Sequence, residues 1–175
     1  MKNKVFIFLI IILSGIAIAF FIVRHQYSPR ITTVGSVAPD IELIDINKNT
    51  LKLSELKGSV VFINFWATWC ESCIDELSSI ERLFRHLSGN PKFRLITILY
   101  KDNGYNIFSY MKENGYTFPV YHNPDGSAAK YFGITGVPET FIIDKKGILR
   151  KKIIGPADWD SPLAIEALQN LLNEE

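Results

Sequence analysis

The residues Val60-Val61-Phe62-Ile63-Asn64-Phe65-Trp66 form a continuous apolar, β-rich run. This is the pattern of a central strand covered on both faces. A helical repeat follows almost at once. Ile74, Leu77, Ile80, Phe84 and Leu87 recur at helical spacing until Ser88-Gly89-Asn90-Pro91 stops the helix. Both cysteines of the chain, Cys70 and Cys73, lie in the join between that strand and that helix. The rest of the chain has to be arranged around this junction.

On either side the periodicity keeps alternating between strand and helix. Ile41-Leu43 and Leu51-Leu53 read as short strands about a turn at Asn47-Lys48-Asn49. Phe93 to Tyr100 predicts a second buried strand, followed by a helix from about Ile107 to Asn114 with Gly115 as its stop. Phe118-Tyr121 and a short helix Ser127-Phe132 lead to the strand Thr140-Ile143. The turn Asp144-Lys145-Lys146-Gly147 joins that strand to Ile148-Ile154. Leu163, Ile165, Leu168, Leu171 and Leu172 give a last amphipathic helix. Such an order predicts an α/β sandwich with a mixed sheet.

The position of the cysteines is chemically specific. A helix N-terminus carries unpaired N–H groups and roughly half a positive charge, which stabilise a thiolate at Cys70. Cys73, one turn inside, is spaced to reach back and resolve a mixed disulfide formed at Cys70. A zinc site needs two further ligands, yet no other cysteine exists and His25, His86 and His122 are scattered. A purely structural bridge closes only a tiny loop, for little entropic gain. Redox chemistry without a cofactor or bound metal is the expected use. Copper is the one metal the pair suits, since thiolates are soft ligands for Cu(I).

Ahead of this lies a different kind of segment. Val5 to Val23 is apolar apart from Ser14 and Gly15. At about 1.5 Å per residue, a helix of that length nearly spans a hydrocarbon core of about 30 Å. Ala17-Ile18-Ala19 is like a signal-peptide cleavage site, but Phe20-Phe21-Ile22-Val23 continue the apolar run beyond it, and no lipoprotein cysteine follows Leu13-Ser14-Gly15. One uncleaved transmembrane helix in residues 1–27 is expected, then a polar linker over 28–36 and a domain over 37–175. Lys2 and Lys4 argue for a cytoplasmic N-terminus, Arg24 and Arg30 against it. The cysteine chemistry decides for an exported, extracytoplasmic domain. Of 19 basic residues three precede Ser28, leaving 16 against 18 acidic ones and no basic face for nucleic acid.

The stretch Asn64-Phe65-Trp66-Ala67-Thr68-Trp69-Cys70-Glu71-Ser72-Cys73 resembles the TlpA-like thiol–disulfide oxidoreductases of thioredoxin fold, which include ResA and CcmG (DsbE). Ala38-Pro39-Asp40, Leu53-Ser54-Glu55-Leu56-Lys57-Gly58 and Gly136-Val137-Pro138-Glu139-Thr140-Phe141-Ile142-Ile143-Asp144 extend the likeness from about Val34 to the C-terminus. The resemblance implies a three-layer, thioredoxin-like sandwich with an N-terminal β extension. It implies a cis Pro138 beside the cysteines, where the residues alone favour an ordinary trans bond. Trp69, Val137 and Pro138 then form the docking face for a client peptide, added as a strand along Val137. An acid is typical three residues after the second cysteine, and Glu76 stands there. Its carboxylate is expected to face the thiols as a proton carrier. The competing reading is a solvated helix glutamate.

Glu71 and Ser72 lie between the cysteines, and both are expected to tune the redox pair. Glu71 opposes the Cys70 thiolate as a like charge, and Ser72 replaces a proline common in the ResA motif. Gly155-Pro156-Ala157-Asp158-Trp159-Asp160 resembles the end of TlpA, a branch linked to copper sites of cytochrome oxidase, while Pro-Glu-Thr-Phe leans to CcmG. By resemblance, the clients are disulfides of apocytochrome c or of copper-site proteins, and electrons come from a CcdA- or DsbD-type membrane carrier. A Cu(I) chaperone is the alternative from another class. A peroxiredoxin-like thiol peroxidase is disfavoured, because the threonine and proline around a peroxidatic cysteine are missing.

Overall fold

In the computed structural model, which describes residues 11–21, 31–104 and 106–174, the apolar run ahead of the cysteines is strand β3, Val60–Trp66, buried along its whole length. Its side chains divide by period two. Val60, Phe62 and Trp66 enter one core, and Val61, Ile63 and Phe65 enter the other. The strand pairs parallel to β4 (Phe93–Leu99) and antiparallel to β6 (Glu139–Ile143). Outside these lie β1 (Glu42–Asp45), β2 (Thr50–Lys52), β5 (Val120–His122) and β7 (Leu149–Ile154). The mixed sheet runs β2-β1-β5-β4-β3-β6-β7. The expected N-terminal β extension is the hairpin β1–β2, joined to β5 through Ile44 opposite His122.

Helices cover both faces. On one side pack α1 (Glu71–Leu87), α2 (Ile107–Glu113) and α4 (Pro162–Asn173), with Leu77, Ile80 and Leu83 fully buried. Each such side chain is worth about 1.5–3 kcal/mol of transfer free energy. The short α3 (Ser127–Phe132) puts Ala128 and Phe132 into the opposite core. Ser161 caps α4 by accepting from Ala164 N at 3.4 Å, with Pro162 in its first turn. Between α4 and β3, Trp159 meets Phe62 edge to face at 4.8 Å.

Two expectations need restating. Residues 31–36, expected as part of the linker, cluster with the domain and are hydrogen-bonded to it. Thr32 N donates to Tyr131 O, Gly35 N donates to Leu149 O, and Leu149 N donates to Ser36 O. Of the apolar run Val5 to Val23, residues 11–21 are helical and the others lie outside the described residues. Among the described residues no helix is long and apolar enough to cross a membrane.

Candidate active site

Helix α1 begins where the sequence turns from β to helical period, and its N-cap is Cys70, in extended conformation. Cys73 N donates to Cys70 Sγ at 3.2 Å, so the sulfur occupies the place where a helix start offers its unpaired N–H groups. Cys70 and Cys73 form a disulfide. Their exposures differ in the sense that the chemistry needs: Cys70 is 7% exposed and Cys73 fully buried. Beside Cys70 Sγ, Ser72 Oγ and the carbonyl oxygen of Val137 each lie at 3.5 Å. The Val137–Pro138 bond is cis. Sequence positions 67 apart thus meet at the outer sulfur. Trp69 is 60% exposed next to it, tethered by its Nε1, which donates to Lys101 O at 3.3 Å. Glu71 is exposed on the first turn of α1.

Glu76 is not solvated. Only 3% exposed, it lies at the α1–sheet interface. Asn64 Nδ2 donates to its Oε1 at 2.8 Å, and Ala157 N and Trp159 Nε1 each donate to its Oε2 at 3.0 Å. Burial raises its carboxyl above the ordinary value, against the pull of those three donors. One turn back on the same helix face is Cys73. The carboxylate thus belongs to the helix turn that follows the inner cysteine.

Two further carboxylates fix the loops around the disulfide. Glu139, buried directly after Pro138, accepts at Oε1 from Thr135 N, Thr135 Oγ1 and Gly136 N. Its Oε2 has no well-aligned hydrogen bond and is met instead by the Lys152 ammonium at 2.9 Å. Burial alone would raise this carboxyl, but Lys152, Thr135 and Gly136 outweigh it and hold it low. Asp102 Oδ2 accepts from Thr68 N and Oγ1, and Oδ1 accepts from Gly104 N. These bonds likewise outweigh burial and keep Asp102 low. Among the described residues no group of three or more His, Cys, Asp or Glu side chains is placed to hold a metal ion.

The structure brings together Cys70, Cys73, Ser72, Val137 and Pro138 at the sulfur, with Glu76 buried one turn along α1 and Trp69 exposed beside Cys70. Sequence reasoning missed Asn64, Glu139, Lys152 and Asp102 as parts of the site. Asn64 had a signal, since it is the one polar residue inside a buried strand. Lys152 had none, being one of several lysines in a charged hairpin.

Comparison with known proteins agrees with this geometry. Residues 34–152 match the sequence profile of the AhpC/TSA family. The thiol-disulfide oxidoreductase ResA of Bacillus subtilis is 31% identical over 121 residues, 69% of this chain and 67% of that protein. The thiol:disulfide interchange protein DsbE of Allochromatium vinosum is 36% identical over 129 residues, 71% of this chain and 68% of that one. The crystal structure of a thioredoxin-family thiol:disulfide interchange protein from Chlorobium tepidum superposes with a TM-score of 0.66 at 25% identity. It covers 78% of this chain and 97% of that chain. With its thioredoxin-like mixed sheet and its cysteine pair, the chain belongs to the AhpC/TSA family and, within it, to the protein thiol-disulfide oxidoreductases of ResA and DsbE type.

Proposed function

We propose that the protein is a membrane-tethered dithiol reductant, acting on client disulfides on the extracytoplasmic side of the bacterial membrane. The observation that carries this reading is the pairing of a slightly accessible Cys70 with the backbone carbonyl of Val137, 3.5 Å away. A client strand laid along Val137 brings its own disulfide onto the attacking sulfur.

The Cys70 thiolate attacks one client sulfur, forming the mixed disulfide and releasing the first client thiolate. Cys73 then gives its proton to Glu76 and attacks Cys70 Sγ. The second client thiolate leaves and takes a proton, and the enzyme is left as the Cys70–Cys73 disulfide. No cofactor enters these steps. Two electrons from a CcdA- or DsbD-type membrane thiol carrier restore the dithiol. The Val5–Val23 run supports tethering, which raises the local concentration of the domain near that carrier. Likeness to proteins named ResA and DsbE, with the Pro138-Glu139-Thr140-Phe141 stretch, favours the haem-binding cysteine pair of apocytochrome c as client.

The test is capture. Full-length Cys73→Ser, expressed in cells making c-type cytochromes, is expected to retain an apocytochrome through Cys70, identified by mass spectrometry of the adduct. Capture of a copper-site protein instead would move the client assignment. Absence of any adduct, with Cys70→Ser still reducing disulfides, would overturn the mechanism.

A further inference from the structure

The amide of Asn64 is the least satisfied polar group around Glu76. Asn64 is fully buried on the face of β3 that α1 covers. Its Nδ2 serves two acceptors, Glu76 Oε1 at 2.8 Å and Thr140 Oγ1 at 2.9 Å. Its Oδ1 has no partner among the described residues. A buried carbonyl left in this way ordinarily costs about 1–3 kcal/mol, so the arrangement calls for a reason.

The two oxygens of Glu76 are unequal. Oε2 faces only donors, Ala157 N and Trp159 Nε1, and a proton placed there would confront two N–H groups. A proton taken up by Glu76 must therefore sit on Oε1, which faces the amide. In the orientation seen, the amide offers Oε1 a donor, which suits the carboxylate and clashes with the acid. Turning the amide by half a turn reverses this. Oδ1 then accepts from the Glu76 O–H and from the Thr140 hydroxyl, whose proton is free to swing. On the other side Oδ1 has no bond to break among the described residues, and the turn exchanges one unpartnered group there, the carbonyl, for another, the NH2.

We propose that Asn64, with Thr140 as its second partner, is a positioning residue that turns over when Glu76 takes the proton released by Cys73. It thereby holds the carboxylate in one half of the cycle and the acid in the other. This rests on the assignment of Glu76 as proton carrier. Among the described residues no charged side chain pairs with Glu76: from β3 it meets Asn64, and from the segment after β7 it meets Ala157 N and Trp159. The titratable groups on its own helix face are the cysteines.

The experiment uses the full-length protein in its disulfide form, so that neither cysteine titrates, isotope-labelled at the Glu and Asn side chains for NMR. The Glu76 carboxyl carbon and the Asn64 side-chain amide are followed together with pH. Both are expected to shift at one midpoint, with the contact between the Asn64 amide protons and Thr140 lost on the acid side. A titrating Glu76 beside an Asn64 that keeps its contact with Thr140 overturns the turn-over and leaves the proton carrier standing. A Glu76 that does not titrate overturns both. Asn64→Leu removes the donor to the carboxylate and is expected to move the Glu76 midpoint up by about one to two pH units. Thr140→Val, which leaves that donor in place, keeps the midpoint close to the parent value while slowing the amide's exchange. An unchanged midpoint in Asn64→Leu counts against the proposal.

Discussion

Burial raises the Glu76 carboxyl while three donors hold its ionised form, so a modest change nearby moves it far. Between its unfolded and its raised folded value the native state binds more protons than the unfolded chain. The stability contribution of Glu76 is therefore fully present below the ordinary carboxyl value and is lost as pH rises through the folded value. Glu76→Gln removes that dependence. The glutamine Oε1 still accepts from Ala157 N and Trp159 Nε1, and its Nε2 faces an amide able to turn its oxygen inward. At neutral pH the variant is expected to be more stable by about 1 kcal/mol in urea unfolding. Resolution of the mixed disulfide should slow by about 100-fold, measured by stopped-flow release of a client thiol. A second residue effect belongs to Glu71. As a negative charge beside Cys70 it opposes the thiolate that the helix N-terminus favours, so Glu71→Gln should lower the Cys70 thiol by a few tenths of a pH unit. Ultraviolet absorbance of the thiolate in the reduced protein reads this directly.

Among the elements, the β6–β7 pair controls where the Val137 carbonyl stands. Glu139 on β6 gathers Thr135 and Gly136 into a fixed loop, and Lys152 on β7, opposite Phe141, compensates its charge. Lys152→Met strands a buried carboxylate and is expected to cost about 3–5 kcal/mol in urea unfolding, much of it recovered in Glu139→Gln/Lys152→Met. Because the Glu139 carboxyl is held low, its contribution is present above the ordinary carboxyl value and disappears as pH falls through the lowered one. Acid unfolding of the double variant should thus be less steep. Elements of this kind were largely legible beforehand, since period-two and helical repeats mark a strand or helix by itself. The helix Ser127–Phe132 falls where it was expected, and β4 ends one residue early. Partnerships between elements were not legible. Nothing in the spacing of α1 says that Glu76 will meet Trp159, 83 residues on, or that Asp102 will hold Thr68. Ile74 also fell out of the apolar stripe: it sits in the first turn of α1 and is 37% exposed.

For the molecule as a whole, two cores on either side of one sheet have to be closed at their margins, and the segment ahead of the first strand does this for the α3 side. Ile31 lies so close to Gly133, the left-handed cap of α3, that a Cβ there would stand 2.5 Å from the Ile31 side chain. Thr32 is buried, and the segment exchanges three backbone hydrogen bonds with Tyr131 and Leu149. Polar composition without periodicity made these residues read as linker, because backbone bonding leaves no trace in side-chain pattern. A chain starting at Ile31 keeps all these contacts, and should fold and exchange disulfides as the full-length protein does. One starting at Val37 loses the three bonds, at about 1 kcal/mol each, and exposes the α3 edge. It is expected to be about 2–3 kcal/mol less stable in urea unfolding, with an unchanged Cys70 thiol, because the sulfur site is built from α1 and the cis-proline loop. Equal stability of the two truncated chains would return residues 31–36 to the linker. A shifted Cys70 thiol would mean that this margin reaches the active site through α3 and the loop at Thr135.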